Sequence, residues 1–167
     1  GKYAFPDDAM ETPDTMMTVF DFGSFGLLWD HTIGIYGANY GNRGHGVAFI
    51  GEWGTLVVDR SGWEVIPETT STSAKKDFAA VPLQKGTGKG LDLHVENLLN
   101  CIRKGGKPNC DIEIGAHIAR ISHLGNISYR LGRKVFWDAE NQQFINDSEA
   151  NNFVKANYRS PWQIPKV

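Results

Sequence analysis

Five short runs of β-branched and aromatic residues, separated by glycine-bearing turns, fill the first part of the chain and restrict its topology. The runs span residues 15–22, 25–35, 47–50, 55–59 and 63–67. Gly23-Ser24, Glu52-Trp53-Gly54 and Ser61-Gly62 serve as the short turns, and a glycine loop at 37–46 makes the longer connection. A parallel pair needs a crossover of a dozen or more residues, so strands joined this tightly run antiparallel.

Residues 69–90 are rich in Gly, Ser, Thr and Lys and read as a long connection. Helical spacing follows. Leu91, Val95, Leu98, Leu99 and Ile102 recur at three and four residues, and Gly105 stops the run. A second helix is expected from an N-cap near Asp111 to Leu131, with Gly132 as its stop. Its stripe of Ile114, Ile118, Ile121, Gly125 and Ser128 includes small residues that let a neighbour approach closely. Residues 134–138 suggest one more strand, and Phe144-Ile145 a short one. A last helix capped by Asp147 or Ser148 is expected to about residue 157, before a proline-bearing tail at 158–167. Strands followed by helices, without strict alternation, indicate an α+β fold: an open, mainly antiparallel β-sheet with helices packed on one face. Trp29, Trp53 and Trp63 fall on strands or turns, which leaves the other face partly apolar and suited to an interface.

A length of 167 residues suits one domain with its own core, and 41% hydrophobic with 22% charged residues is ordinary for a globular protein. The net charge of −2 and scattered basic residues disfavour nucleic acid as a partner. Arg130, Arg133 and Lys134 sit at a helix end, where the dipole explains them. No apolar run reaches the roughly 20 residues that span a bilayer, so no membrane is expected, and no signal-peptide pattern opens the chain. Cys101 and Cys110 make neither a disulfide framework nor a zinc site and are expected as reduced thiols, one of them buried.

No nucleotide motif survives inspection of the glycines. Gly44-His45-Gly46 has Phe49 where the dinucleotide fingerprint needs its third glycine, and it precedes a strand. Gly86-Thr87-Gly88-Lys89-Gly90 lacks the phosphate-loop spacing and reads as part of the linker. His117 and His123 are six apart and cannot pair on a metal, and no metal site is expected. His123 reads as a hydrogen-bonded structural histidine. His94 shares a helix face with Asn97 and either caps the turn or reaches a ligand, the structural role being preferred. More informative are Trp29 and His31, which alternation puts on one strand face with Asp30 on the other. His45 ends the glycine loop beside Tyr40, Asn42 and Arg43. Aromatic, cationic and polar groups beside a loop suit a hydroxylated small molecule. Trp29, His31, Tyr40, Arg43 and His45 are therefore the candidate substrate-binding wall, on local chemistry alone.

Residues Glu11-Thr12-Pro13-Asp14-Thr15 through FDFGSFGLLWDH, the segment HGVAFIGEWGTLVVDRSGWEVIPE (45–68), the segment HVENLLNCIRKGGKPNCDIEIGAHIARISHLGNISYRLGR (94–133) and the ending Tyr158-Arg159-Ser160-Pro161-Trp162 share one further property. Together they resemble the C-terminal domain of Gfo/Idh/MocA oxidoreductases of the bacterial type. The resemblance implies a ferredoxin-like dehydrogenase C-terminal domain over residues 1–167 that binds substrate and builds a homo-oligomer. It implies an N-terminal Rossmann domain outside this chain, which holds NAD or NADP, so no cofactor is expected on the chain itself and the isolated chain is expected to be inactive. The usual substrates are sugars, inositols and related polyols, oxidised by hydride transfer. The family's Asp-xxx-His catalytic pattern is not found before Thr15, so no catalytic residue is assigned, His31 included. Two alternatives stay open: an NAD-dependent glycosidase of the same family, and a non-catalytic self-association module. A bacterial cytoplasmic or periplasmic location fits the resemblance equally.

Overall fold

The computed structural model describes residues 1–33, 40, 43–70, 77–155 and 158–163. Its strands and helices are, in chain order, β1 (Thr15–Asp21), β2 (Gly26–Thr32), β3 (Val47–Ile50), β4 (Gly54–Asp59), β5 (Gly62–Pro67) and β6 (Val81–Lys85). They continue with α1 (Gly90–Lys104), α2 (Ile112–Leu131), β7 (Trp137–Asp138), β8 (Gln143–Phe144) and α3 (Ser148–Asn151). The class is α+β with open, antiparallel sheets, as the patterning predicts. The strands are divided among sheets of two, four and two strands among the described residues. The chain forms two compact units, one of Gly1–His31 with Ile112–Val167 and one of Thr32–Asp111.

In the first unit β1 and β2 form a hairpin turned at residues 22–25, where Phe22 N–H donates to Phe25 O at 3.0 Å. One face of this hairpin meets α2. The contact is close because Gly125 has no side chain: a Cβ there would lie 3.3 Å from Phe20 Cζ and 3.5 Å from Thr18 Cγ2. The small residue in the predicted stripe thus admits β1, whereas Ile114 and Ile118 of the same stripe stay exposed. A compact core lies against the same C-terminal half of α2, where Ile127, Phe144 and Ala150 are buried with Leu124, Leu131, Val135 and Trp137 around them. Trp137 meets Phe144 edge-on, with ring centroids 5.0 Å apart. Asn151 holds the Phe144 backbone at both ends, accepting from its N–H at 2.8 Å and donating to its carbonyl at 2.9 Å. Asp147 caps α3 through the Ala150 N–H at 3.0 Å and pairs with Arg133, which also reaches Glu149 at 2.9 Å.

The second unit is a four-stranded meander in the order β3-β4-β5-β6. The pairing Asp59↔Gly62 leaves Arg60 and Ser61 as a two-residue turn. Asp59 Oδ1 shapes it by accepting from Ser61 N–H and Ser61 Oγ, both at 2.7 Å, and from Gly62 N–H at 3.1 Å. Val57 is the buried side chain of this sheet. No residue of α1 is buried, so its stripe of Val95, Leu98, Leu99 and Ile102 is exposed. Gly105 closes that helix at φ 69°, as expected of a left-handed C-terminal stop.

Four expectations need correction. Residues 69–90 are not one connection, because β6 lies within them. Its Pro82 hid it, yet β6 is an edge strand, where a missing N–H is tolerated. The strand expected at 134–138 shrinks to Trp137–Asp138. The last helix is a single turn, and beyond it Phe153 and Val154 donate to carbonyls only three residues back, a tighter winding than α. The second strand ends at Thr32, and residues 34 and 35, assigned to it from sequence, lie outside the described residues, as do 156 and 157.

Gly62 has φ 147°, and a Cβ there would run into the Gln84 carbonyl oxygen of β6. Gly62→Ala is therefore expected to destabilise the meander by roughly 1–3 kcal/mol. Chemical denaturation with hydrogen exchange at residues 81–85 checks this, and an unchanged midpoint would count against the packing described.

Candidate functional site

Within the first unit the β1–β2 hairpin and α2 enclose a cavity of about 80 Å³. Met16 and Phe20 give it apolar surface, and Thr18, Trp29, His31, Ser122 and Asn126 give it polar or amphipathic groups. Alternation along β1 and β2 brings Thr18, Trp29 and His31 to one side. Ser122 and Asn126, four apart on α2, come from the other.

The two aromatic residues are coupled. Trp29 Nε1–H donates to His31 Nδ1 at 2.9 Å, and His31 Nε2 lies 3.0 Å from the Pro13 carbonyl oxygen. Sequence alternation placed Trp29 and His31 on one face, and the structure agrees. Pro13 is held in turn by its neighbour Asp14, a buried carboxylate that accepts from Ala4 N–H (2.8 and 2.7 Å), Phe5 N–H (3.2 Å) and Thr15 Oγ1 (2.9 Å). The Ala4 N–H is the largest influence holding the Asp14 carboxyl below its ordinary range, followed by the Thr15 hydroxyl and the Phe5 N–H.

Arg43 and His45 belong to the second unit, as does Tyr40. The register Val57↔Glu64 and Asp59↔Gly62 puts Glu64 and Asp59 on one sheet face. Arg43 bridges them. Its Nη2 donates to Glu64 Oε1 at 2.8 Å, and its Nη1 lies 2.8 Å from Asp59 Oδ2 as an ion pair rather than an aligned hydrogen bond. Glu64 first, then Asp59, raises the Arg43 pKa. The guanidinium fork is thus committed to two carboxylates that sequence inspection did not single out. The signal available was the Asp-x-Ser-Gly turn at 59–62, which marks Asp59 as a side chain with a fixed local partner. Tyr40 is exposed with φ 46°, and His45 is exposed ahead of β3. Asn42 lies outside the described residues.

Other sequence candidates resolve more simply. Asn97 accepts from Asn109 N–H at 2.9 Å, tying the end of the α1–α2 connection to α1, while His94 is exposed. His123 is exposed, contrary to the structural role expected of it, because the packing side of α2 runs through Ser122, Gly125 and Asn126. Cys101 is half-buried and Cys110 exposed, both free. Among the described residues no three His, Cys, Asp or Glu side chains converge as a metal site, and no helix is long and apolar enough to cross a membrane. Gly86–Gly90 does join a strand to a helix, which the sequence did not reveal. However, β6 is antiparallel to β5, and Asp92 occupies the first turn of α1. A dinucleotide cradle needs a parallel β-α-β crossover and a helix start that welcomes an anion, so this segment does not fit NAD(P).

Asp59 is held down to about 2, first by the Ser61 hydroxyl, then by the Ser61 N–H and Arg43. Its ordinary value is 3.8, so the folded form binds the proton less readily than the unfolded chain. The stabilisation is complete above about pH 4 and is lost as pH falls toward 2. Ser61→Ala is expected to raise the Asp59 pKa and move the acid-unfolding midpoint to higher pH. Carboxyl NMR titration with circular dichroism reads both, and an unmoved midpoint would remove Asp59 as an acid-sensitive anchor.

No curated protein and no solved structure matches the chain. Residues 89–164, from the start of α1 past α3, match the family model described as "Oxidoreductase family, C-terminal alpha/beta domain", of the Gfo/Idh/MocA type. The matched stretch contains α2, whose Ser122, Gly125 and Asn126 line the cavity, and the core around Phe144. Over residues 89–164, a little under half of its length, the chain is similar to the C-terminal alpha/beta domain of the Gfo/Idh/MocA oxidoreductase family.

Proposed function

We propose that the chain is the substrate-binding and oligomerisation domain of an NAD(P)-dependent oxidoreductase that acts on a sugar, inositol or related polyol. The observation that carries this is the cavity between the β1–β2 hairpin and α2. The hydroxyls of Thr18 and Ser122 and the carboxamide of Asn126, beside the Trp29 and His31 rings and a small apolar floor, match the alternating O–H and C–H groups of a polyol. At about 80 Å³ the cavity falls well short of the roughly 300–1,000 Å³ of complete ligand pockets. It admits a hydroxymethyl arm or one ring edge, and the rest of the substrate is bound outside it. The dinucleotide is held by an N-terminal Rossmann domain, and the cofactor supplies the hydride chemistry while this domain positions the reacting carbon.

The five candidate residues divide between the units. Trp29 and His31 line the cavity of the first, whereas Tyr40 and His45 are exposed residues of the second. Arg43 contributes by fixing the sheet through Asp59 and Glu64 rather than by offering its fork to a ligand. In the full-length protein Asn126→Ala is expected to raise the KM for the polyol by roughly tenfold, the loss of one hydrogen bond, with the KM for NAD(P) unchanged. Steady-state kinetics with both substrates varied decides the matter. A KM change confined to the dinucleotide, or none at all, would move the substrate elsewhere.

Self-association draws on a separate observation. Met17, Val19 and Leu28, on the hairpin face turned away from α2, are 64%, 73% and 58% exposed. Exposed apolar side chains on one face suit an interface. Val19→Asp combined with Leu28→Asp is expected to reduce the mass measured by light scattering to that of a monomer; an unchanged mass would place the contact on another surface.

A further inference from the structure

His31 has both ring nitrogens committed, and the partners fix where its proton sits. The Trp29 indole N–H can only donate, so Nδ1 accepts; the Pro13 carbonyl can only accept, so Nε2 carries the hydrogen. The ring is therefore held as a single neutral tautomer. A second proton has one place to go, Nδ1, and there it faces the indole N–H across 2.9 Å. Two donors cannot share that contact. The bond from Nε2–H to Pro13 O is kept and becomes charge-assisted.

We propose that His31 is a proton-operated latch on the cavity: protonation releases the Trp29 wall while the imidazole and the Pro13 segment stay in place. The asymmetry follows from the anchors. Pro13 adjoins Asp14, which is tied to two backbone N–H groups and the Thr15 hydroxyl, whereas Trp29 is 41% exposed and has open solvent to move into. The groups packed around His31 are few. From the N-terminal segment comes Asp14, whose carboxyl is held down first by the Ala4 N–H and, as the smallest contribution, by His31. The cavity-lining residues of β1 are Met16, Thr18 and Phe20, and α2 presents Ser122, Gly125 and Asn126, none of them titratable. Asp30 points to the opposite face of β2. The indole N–H is thus the group that a proton on Nδ1 meets, and the conflict is relieved by moving Trp29. The latch does not depend on what the cavity binds.

The test uses the full chain with its tryptophan indoles labelled with nitrogen-15, Trp29 being identified among the five by Trp29→Phe. Between about pH 8 and about pH 5, the window in which histidine ordinarily titrates, the Trp29 indole proton is expected to shift upfield with the same midpoint as the His31 ring protons. The indoles of Trp53, Trp63, Trp137 and Trp162 are expected to hold still. A His31 ring that stays neutral to pH 5 overturns the proposal, and so does one that protonates with Trp29 unmoved. His31→Asn keeps an acceptor at the Nδ1 position with no proton to gain, so it is expected to freeze the Trp29 resonance. A Trp29 signal that still moves in that variant also overturns the proposal. If the variant fails to fold, the co-titration in the unaltered chain decides alone.

Discussion

Among the described residues very little apolar surface is fully buried, and this scarcity governs how the rest is held. Met16, Val57, Ile127, Phe144 and Ala150 are the buried hydrophobics, divided between two compact units. Burial at roughly 25 cal/mol per Å² of apolar surface cannot by itself fix every element when so few side chains are enclosed. Polar side chains that replace backbone partners do much of the positioning. Asp14 gathers the N-terminal segment, Asp59 shapes the β4–β5 turn, Asn151 clamps Phe144, and Asp147 caps α3 while pairing with Arg133. The Asp59 turn and the Asp147 cap close within three residues, whereas the Asp14 contact to Ala4 spans ten and the Arg133–Asp147 pair fourteen.

The same division of labour explains the cavity. It exists because Gly125 lets β1 approach α2 closely while Thr18, Ser122 and Asn126 bring groups that do not fill the space. Trp29 closes it on one side, and its position is set by a single hydrogen bond to His31 rather than by enclosure in a core. A wall held that way responds to the protonation of its acceptor, whereas one buried among aliphatic side chains does not. Arg43 shows the opposite case. With carboxylates on both Nη atoms it is fixed in the sheet, and an arginine so engaged holds its own unit together before it serves any ligand.

What local rules govern was legible in the sequence. Antiparallel strands followed from turns too short for a crossover, and α1 and α2 from three- and four-residue spacing closed by Gly105 and Gly132. The shared face of Trp29 and His31 followed from strand alternation. What depends on neighbours was not legible. The β6 strand was concealed by Pro82, whose missing N–H matters only if both edges of the strand are paired. His123 looked like a packing residue because periodicity gives a helix a stripe but not the width of the face that is covered. Arg43 looked available for a ligand because nothing local announces a cross-strand pair of carboxylates.

The sequence alone thus determined the fold class, most of the strand and helix positions, and the family resemblance that the match over residues 89–164 supports. These are properties of short windows, in which period, turn chemistry and end signals act over a few residues. Only the tertiary structure decided that α2 meets β1 at Gly125 and that Arg43 is held by Asp59 and Glu64. It likewise decided that His31 bridges Trp29 to Pro13, eighteen residues before it. Those contacts join residues distant in sequence, and a hydrogen bond or ion pair forms only where the fold brings donor and acceptor within about 3 Å.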